Sequence, residues 1–154
     1  MLKPIGLLAL LSLFLIYPST QLRAQDSTPT LEFRLADDND SAGWQKLKLR
    51  GSDKPIFVAK EVSINGGHIA RVSFYKDPVG NPSVGLTLTD DGAKAMKKTT
   101  SQNLKKRLAI VLNGKVVSAP IIQSTISKEV QISGRFDRDD LLAFFQAIVL
   151  REMP

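Results

Sequence analysis

The sequence predicts an α+β domain, an antiparallel β-sheet with two α-helices packed mainly on one face. Three observations carry that expectation. First, Leu108–Leu112 and Lys115–Ser118 are β-prone runs joined by Asn113-Gly114. That pair is the strongest short hairpin signal, because a type I′ turn needs φ > 0 at both central residues. Second, much of the chain before residue 90 alternates apolar and polar residues between turn-forming clusters, the period of half-buried strands. Third, two later stretches open on aspartates and then repeat apolar residues every three or four positions, the spacing of an amphipathic helix.

The hairpin organises the rest. A two-residue turn sets Leu112 opposite Lys115, Val111 opposite Val116 and Ile110 opposite Val117. Leu108, Ile110, Leu112 and Val117 then share one sheet face, and Ala109, Val111 and Val116 the other. Both faces are apolar, so the hairpin is expected inside a sheet with at least one face under helices. Pro120 has no N–H and is expected to end the ladder or lie on an edge.

In chain order, Met1–Ala24 has the three parts of a secretory signal peptide: Lys3, the apolar run Ile5–Ile16, and small Ala24 before Gln25. The apolar run is short for a membrane span of about 20 residues, so cleavage between Ala24 and Gln25 is expected rather than an uncleaved anchor. Removal takes away two of 21 basic residues against 15 acidic ones, leaving a mildly positive chain that demands no nucleic-acid partner. An exported chain with no Cys has no disulfide, so packing must hold the fold. Residues 25–30 (QDSTPT) read as a disordered leader, and residues 31–154 as one domain.

Leu31–Leu35 reads as a strand, Ala36–Gly43 as a polar loop, and Trp44–Arg50 and Ile56–Val58 as further strands. Asn65-Gly66-Gly67 marks a turn. Ile69–Tyr75 is a strand with Val72 and Phe74 on one face and Arg71, Ser73 and Tyr75 on the other. Asp77–Pro82 is turn chemistry, and Val84–Leu88 is the next strand. Thr89 is placed to cap the first helix, with Asp90 and Asp91 at its positive dipole end. Ala93, Met96, Thr100 and Leu104 give that helix a narrow buried face. Ile121–Ile126 and Val130–Ser133 read as short strands and Gly134 as a break. Asp137, Asp139 and Asp140 open the second helix, whose buried stripe is expected on Leu141, Phe145, Ile148 and Val149, widened by Leu142 and Phe144.

No catalytic, cofactor-binding or metal-binding set emerges. His68, the one histidine, sits in a turn without a nucleophile or orienting partner and reads as an exposed turn residue. Asp38 and Asp40 begin a calcium-loop spacing that fails, since Leu49 stands where a bidentate Glu is required. The aspartates at both helix starts are explained by capping. The segment from Gly80 to Gly85 lacks the Lys-Ser/Thr ending of a phosphate loop. Lys94, Lys97, Lys98, Lys105 and Lys106, continued by Arg107, form a basic cluster. It reads either as a solvated helix face or as a contact for anionic lipid or an acidic protein.

One family resemblance runs through these residues. Pro82-Ser83-Val84-Gly85, Thr89-Asp90-Asp91-Gly92-Ala93, Thr100, Asn103, the run Lys106–Pro120 ending Ser118-Ala119-Pro120, and Ile132-Ser133-Gly134-Arg135-Phe136 resemble the head part of the large periplasmic domain of SecD, a subunit of the bacterial protein-export machinery. Leu31–Leu35 is similar to the family's opening strand. Ser127-Lys128-Glu129 departs from the Gly-rich turn expected there. Within the motif, Arg107, Asn113, Gly114, Ser118, Ala119, Pro120 and Gly134 are turn and core positions. The membrane spans that carry the family's proton-coupled work have no counterpart here, so proton-driven translocation by this chain alone is not expected. The resemblance implies a non-catalytic, cofactor-free exported module, periplasmic or extracellular. It would hold unfolded polypeptide or dock on a folded envelope protein, with at most weak contact to an anionic membrane surface and none to nucleic acid. The rival expectations are a structural subunit of an envelope complex and, with least support, a small exported hydrolase.

Overall fold

The computed structural model describes residues 29–134 and 136–149. The signal segment with its Ala24–Gln25 cut, most of the leader, Arg135 and Leu150–Pro154 lie outside them. The described chain is α+β, as expected, but it has two antiparallel sheets rather than one. The strands are β1 (Leu31–Asp37), β2 (Gln45–Lys48), β3 (Pro55–Val58), β4 (Ile64–Asn65), β5 (Ile69–Lys76), β6 (Pro82–Leu88), β7 (Arg107–Leu112), β8 (Lys115–Ser118) and β9 (Glu129–Ser133). The helices are α1 (Asp90–Gln102) and α2 (Arg138–Val149).

The first sheet runs β2-β3-β1-β7-β8, with β4 also on β1. β3 and β4 share one edge of β1, pairing Ala36 with Val58 and Phe33 with Ile64, while β7 takes the other edge from Leu31↔Leu112 to Ala36↔Arg107. The sheet curls until its outer strands meet: Leu49 bridges Val116, and the Arg50 N–H donates to the Val116 carbonyl at 3.0 Å. Inside the curl lies a small core of Ala36, Ile56, Val58, Ala109, Val111, Val116 and Ala119. The other face of the same strands, with Leu31, Phe33, Leu108, Ile110 and Leu112, belongs to the main core. β7 is therefore apolar on both faces because each face serves a separate core.

At the hairpin, Asn113 and Gly114 have φ of 50° and 76°, and Leu112 pairs with Lys115. Beyond Val111↔Val116 the register departs from the simple count. Ile110 pairs with Ser118, not Val117, because β8 carries a bulge. A bulge bends its strand and increases twist, which suits a sheet that curls onto itself. Val117 still packs against the main core.

The second sheet runs β5-β6-β9. Val84, Leu86 and Leu88 of β6 and Val130 and Ile132 of β9 face the main core. α1 packs near β4 and β6, and α2 near β1, β5 and β7. Thr89 caps α1, its hydroxyl accepting the Gly92 N–H at 3.1 Å. Gly92 is required by a close approach: a Cβ there would lie 2.4 Å from the His68 carbonyl oxygen. At the start of α2, Asp137 and Asp140 accept each other's backbone N–H at 2.9 and 3.1 Å.

Three expectations are corrected. Ile121–Ile126 forms no strand beyond a single bridge from Ile121 to Arg107. Instead the Thr100 hydroxyl accepts the Ile126 N–H at 2.9 Å and donates to the Met96 carbonyl at 2.8 Å, tying this irregular segment to α1. Leu104 lies past the helix end and is 48% exposed, so α1 buries Gly92, Met96 and Thr100. In α2, Phe144 and Ile148 of the expected stripe are buried and Leu141 packs against the main core, but Leu142 and Phe145 are exposed and the buried face takes in Asp140 and Ala147 instead. Arg50 ion-pairs with Asp140 and makes its burial on this face tolerable. Phe144 then meets Phe136 edge to face, with ring centroids 5.5 Å apart.

Candidate functional site

The longest strand, β5, is an edge. It pairs with β6 from Ile69↔Leu88 to Lys76↔Pro82, and no described strand pairs with its other side. Edges of this length usually carry a device that prevents pairing, or they are used for pairing. Two aromatic side chains mark its C-terminal half. Phe74 is 42% exposed and Tyr75 39% exposed. Phe74 is on the inner face, opposite Val84, but lies beyond the fully covered core. Tyr75 is on the outer face, where Gly85 makes room for it: a Cβ at Gly85 would sit 3.1 Å from the Tyr75 ring and 2.6 Å from the Ser73 Oγ. Alternation assigned these faces; the exposure of Phe74 has no signal in the strand itself, because it depends on how distant elements cover the sheet.

A cavity of about 680 Å³ lies between the hairpin and α2, lined by Arg50, Leu112, Lys115, Val117, Asp140 and Ala143 among others. Arg50 joins its walls, bonding Asp137 at 3.2 Å and pairing with Asp140. Sequence reading missed this clamp, which links Arg50 in the turn after β2 to the start of α2. A smaller cavity of about 320 Å³ has Thr30 and Ala147 in its walls.

The motif residues do not form one site. Arg107 is held at one end of β7, where its guanidinium donates to the Ala119 carbonyl and to Asp38, both at 2.9 Å. The Leu108 N–H donates to the Pro120 carbonyl at 2.9 Å, so Ser118-Ala119-Pro120 folds back along β7. Asn113 and Gly114 are at the other end, where the Asn113 side chain accepts the Thr30 N–H at 2.8 Å. Gly134 lies under Phe136, whose ring would be 3.0 Å from an added Cβ. Each of these positions has a structural reason.

His68 is half-buried, and its Nδ1 accepts the Asn65 N–H at 3.2 Å in the short 3₁₀ turn Gly66–His68. Among the described residues no cluster of His, Asp or Glu could hold a metal ion. Lys94 pairs with Asp91 at 3.3 Å, while Lys97, Lys98, Lys105 and Lys106 line the C-terminal half of α1 and the turn after it. The Lys128 ammonium, 3.0 Å from Asp90, holds that carboxyl below its usual value. The Asn81 backbone N–H, 2.8 Å from Asp77, does the same there, with side-chain and further backbone donors adding to it. No described helix is long and apolar enough to cross a membrane.

The fold and its surfaces define a two-sheet α+β module in which one strand edge is unpaired among the described residues and the motif residues are structural and non-convergent. The chain belongs to the SecDF P1 head subdomain family, whose model matches residues 43–152. It is 36% identical over 135 residues to the protein translocase subunit SecD of Aquifex aeolicus, covering 81% of this chain and 26% of that protein. It is 41% identical over 147 residues to the SecD of Desulfurispirillum indicum, covering 80% and 28%. A crystal structure of SecDF in a super-membrane-facing form superposes with a TM-score of 0.62 at 29% identity, over 80% of this chain and 19% of that one. A structure of SecDF, described as a membrane component that enhances protein export, matches with a TM-score of 0.59 at 27% identity, over 80% and 62%. The chain spans about a quarter of the length of the curated relatives it matches.

Proposed function

We propose that this domain is a non-catalytic module of the cell envelope that holds extended polypeptide during export, acting outside the cytoplasm after delivery by its signal segment. The observation that carries the reading is the open edge of β5, flanked by Phe74 and Tyr75, in a member of an export-related family. An extended chain laid along such an edge gains main-chain hydrogen bonds irrespective of its sequence, and aromatic neighbours add side-chain contact of low specificity. That combination suits varied unfolded clients. The cavity beside α2 supports the reading less well, because the Arg50 ion pairs cross its walls.

The test is titration of a fluorescently labelled, permanently unfolded secretory polypeptide with the full chain and with the Phe74→Lys/Tyr75→Lys variant. Saturable binding by the wild type, weakened at least tenfold in the variant with unchanged melting, is the expected outcome. No binding by the folded wild type at high micromolar concentration overturns the proposal. A single folded partner recovered in stoichiometric amount, with no affinity for unfolded chains, would favour the scaffold reading instead.

A further inference from the structure

From Gly92 to Lys128 the sequence has eight Lys or Arg and no Asp or Glu. The fold gives some of these cations acidic partners from elsewhere: Lys94 has Asp91, Lys128 has Asp90 and Arg107 has Asp38. Lys97, Lys98, Lys105 and Lys106 have no carboxylate partner among the described residues. Compensation of the helix dipole does not account for Lys97 and Lys98, since the last turn of α1 carries no basic residue.

The same end of the molecule exposes apolar side chains. The Lys105 N–H donates to the Ile122 carbonyl at 2.9 Å, and the Ile122 N–H donates to the Lys106 carbonyl at 2.8 Å. These bonds bring Leu104, 48% exposed, and Ile121, 44% exposed, into one tip with Lys105 and Lys106, at the end of the helix that carries Lys97 and Lys98 in its C-terminal half. The tip is at the Arg107 end of β7. Thr30, where the described domain begins, is at the Asn113 end, roughly 17 Å away along the strand. Thr30 and Ala147, near the two ends of the described residues, line one cavity, so the tip faces away from both places where the chain continues.

We propose that this tip docks on an anionic lipid surface. Lys97, Lys98, Lys105 and Lys106 would contact phosphate headgroups, and Leu104 and Ile121 would enter the interfacial layer. Cations around exposed apolar side chains are the composition of an interfacial anchor. The chemistry favours lipid over an acidic protein. Carboxylate recognition at protein interfaces favours the planar fork of Arg, and the one Arg in the cluster is already bonded to Asp38 and Ala119. Flexible ammonium groups without fixed geometry suit a fluid layer of headgroups. The inference does not depend on polypeptide binding at β5.

The chain has no cysteine, so one introduced thiol reports one place. The full chain carrying Leu104→Cys is labelled with a polarity-sensitive dye and mixed with phosphatidylglycerol or phosphatidylcholine vesicles. Lys115→Cys, exposed at the opposite end of the hairpin, is the control, so that insertion of the N-terminal apolar run is not mistaken for docking. The expected result is a blue shift at position 104 on anionic vesicles only, absent at 115 and reduced by salt. Adding Lys105→Ala and Lys106→Ala should weaken it about fivefold for each lysine. Equal shifts on neutral vesicles, equal shifts at both positions, or no shift on anionic vesicles alongside a shift with polyglutamate would overturn the assignment.

Discussion

Replacing Thr100 with Val exchanges one buried hydroxyl for a methyl of nearly the same volume and almost the same helix propensity. Thr100 is fully buried. Its hydroxyl donates to the Met96 carbonyl at 2.8 Å and accepts the Ile126 N–H at 2.9 Å. The Met96 carbonyl remains within α1, whereas the Ile126 amide belongs to a segment without a strand partner. Val therefore leaves that N–H without its acceptor, and an orphaned partly buried donor costs about 1–3 kcal/mol. A loss of about 2 kcal/mol corresponds to roughly 8 °C in melting temperature for a domain of this size. Ser at the same position keeps the hydroxyl and gives up only a methyl, about 1 kcal/mol. The discriminating assay is amide hydrogen exchange at Ile126. Protection should fall in Thr100→Val and persist in Thr100→Ser. Equal protection in both variants, or a Val variant as stable as wild type, would refute the idea that this hydroxyl tethers residues 119–128 to α1.

Ile110→Ala empties a site between β1 and β8 in the main core and should cost about 2–5 kcal/mol in chemical denaturation; an unchanged midpoint would contradict the central position of β7. Gly92→Ala should destabilise by about 1–3 kcal/mol despite alanine's better helix propensity, because its methyl meets the fixed His68 carbonyl; a stabilised variant by thermal melting would show that the turn yields. Asp77 has its folded pKa lowered below 3.8 by the N–H groups of its turn, so its stabilisation is fully present above that value and is lost as pH falls through the folded pKa. The stability difference between wild type and Asp77→Ala should accordingly shrink in strongly acidic solution, and a difference independent of pH would count against the carboxylate form as the acceptor.

Much of the fold was legible because its signals are local. Asn113-Gly114 states its turn in two residues, Thr89 and the following aspartates state a helix start, and the alternation of β1 and β5 states two faces. The failures come from interactions between distant residues. Nothing near Asp140 announces that Arg50 will neutralise it, so apolar periodicity found Phe144 and Ile148 but put the exposed Leu142 and Phe145 in the α2 stripe in place of Asp140 and Ala147. The β8 bulge follows from the curling of a whole sheet, and Ile121–Ile126 resembles a strand because its side chains are apolar, while its backbone partners are Thr100 and the residues just before β7. The split into two sheets has the same origin, since β-prone segments do not encode their partners singly. For the candidate surface, the lysine cluster was legible as composition. The open edge of β5 was not, because being an edge is a property of the strand order.

The central claim is that β5 receives an extended client chain. Hydrogen exchange across the full chain, with and without a saturating unfolded secretory polypeptide, tests it most directly. The account predicts new protection at alternate amides of β5, those pointing away from β6, with α2 and the hairpin unchanged. Binding that protects the walls of the α2 cavity and leaves every β5 amide exchanging at its free rate would contradict it.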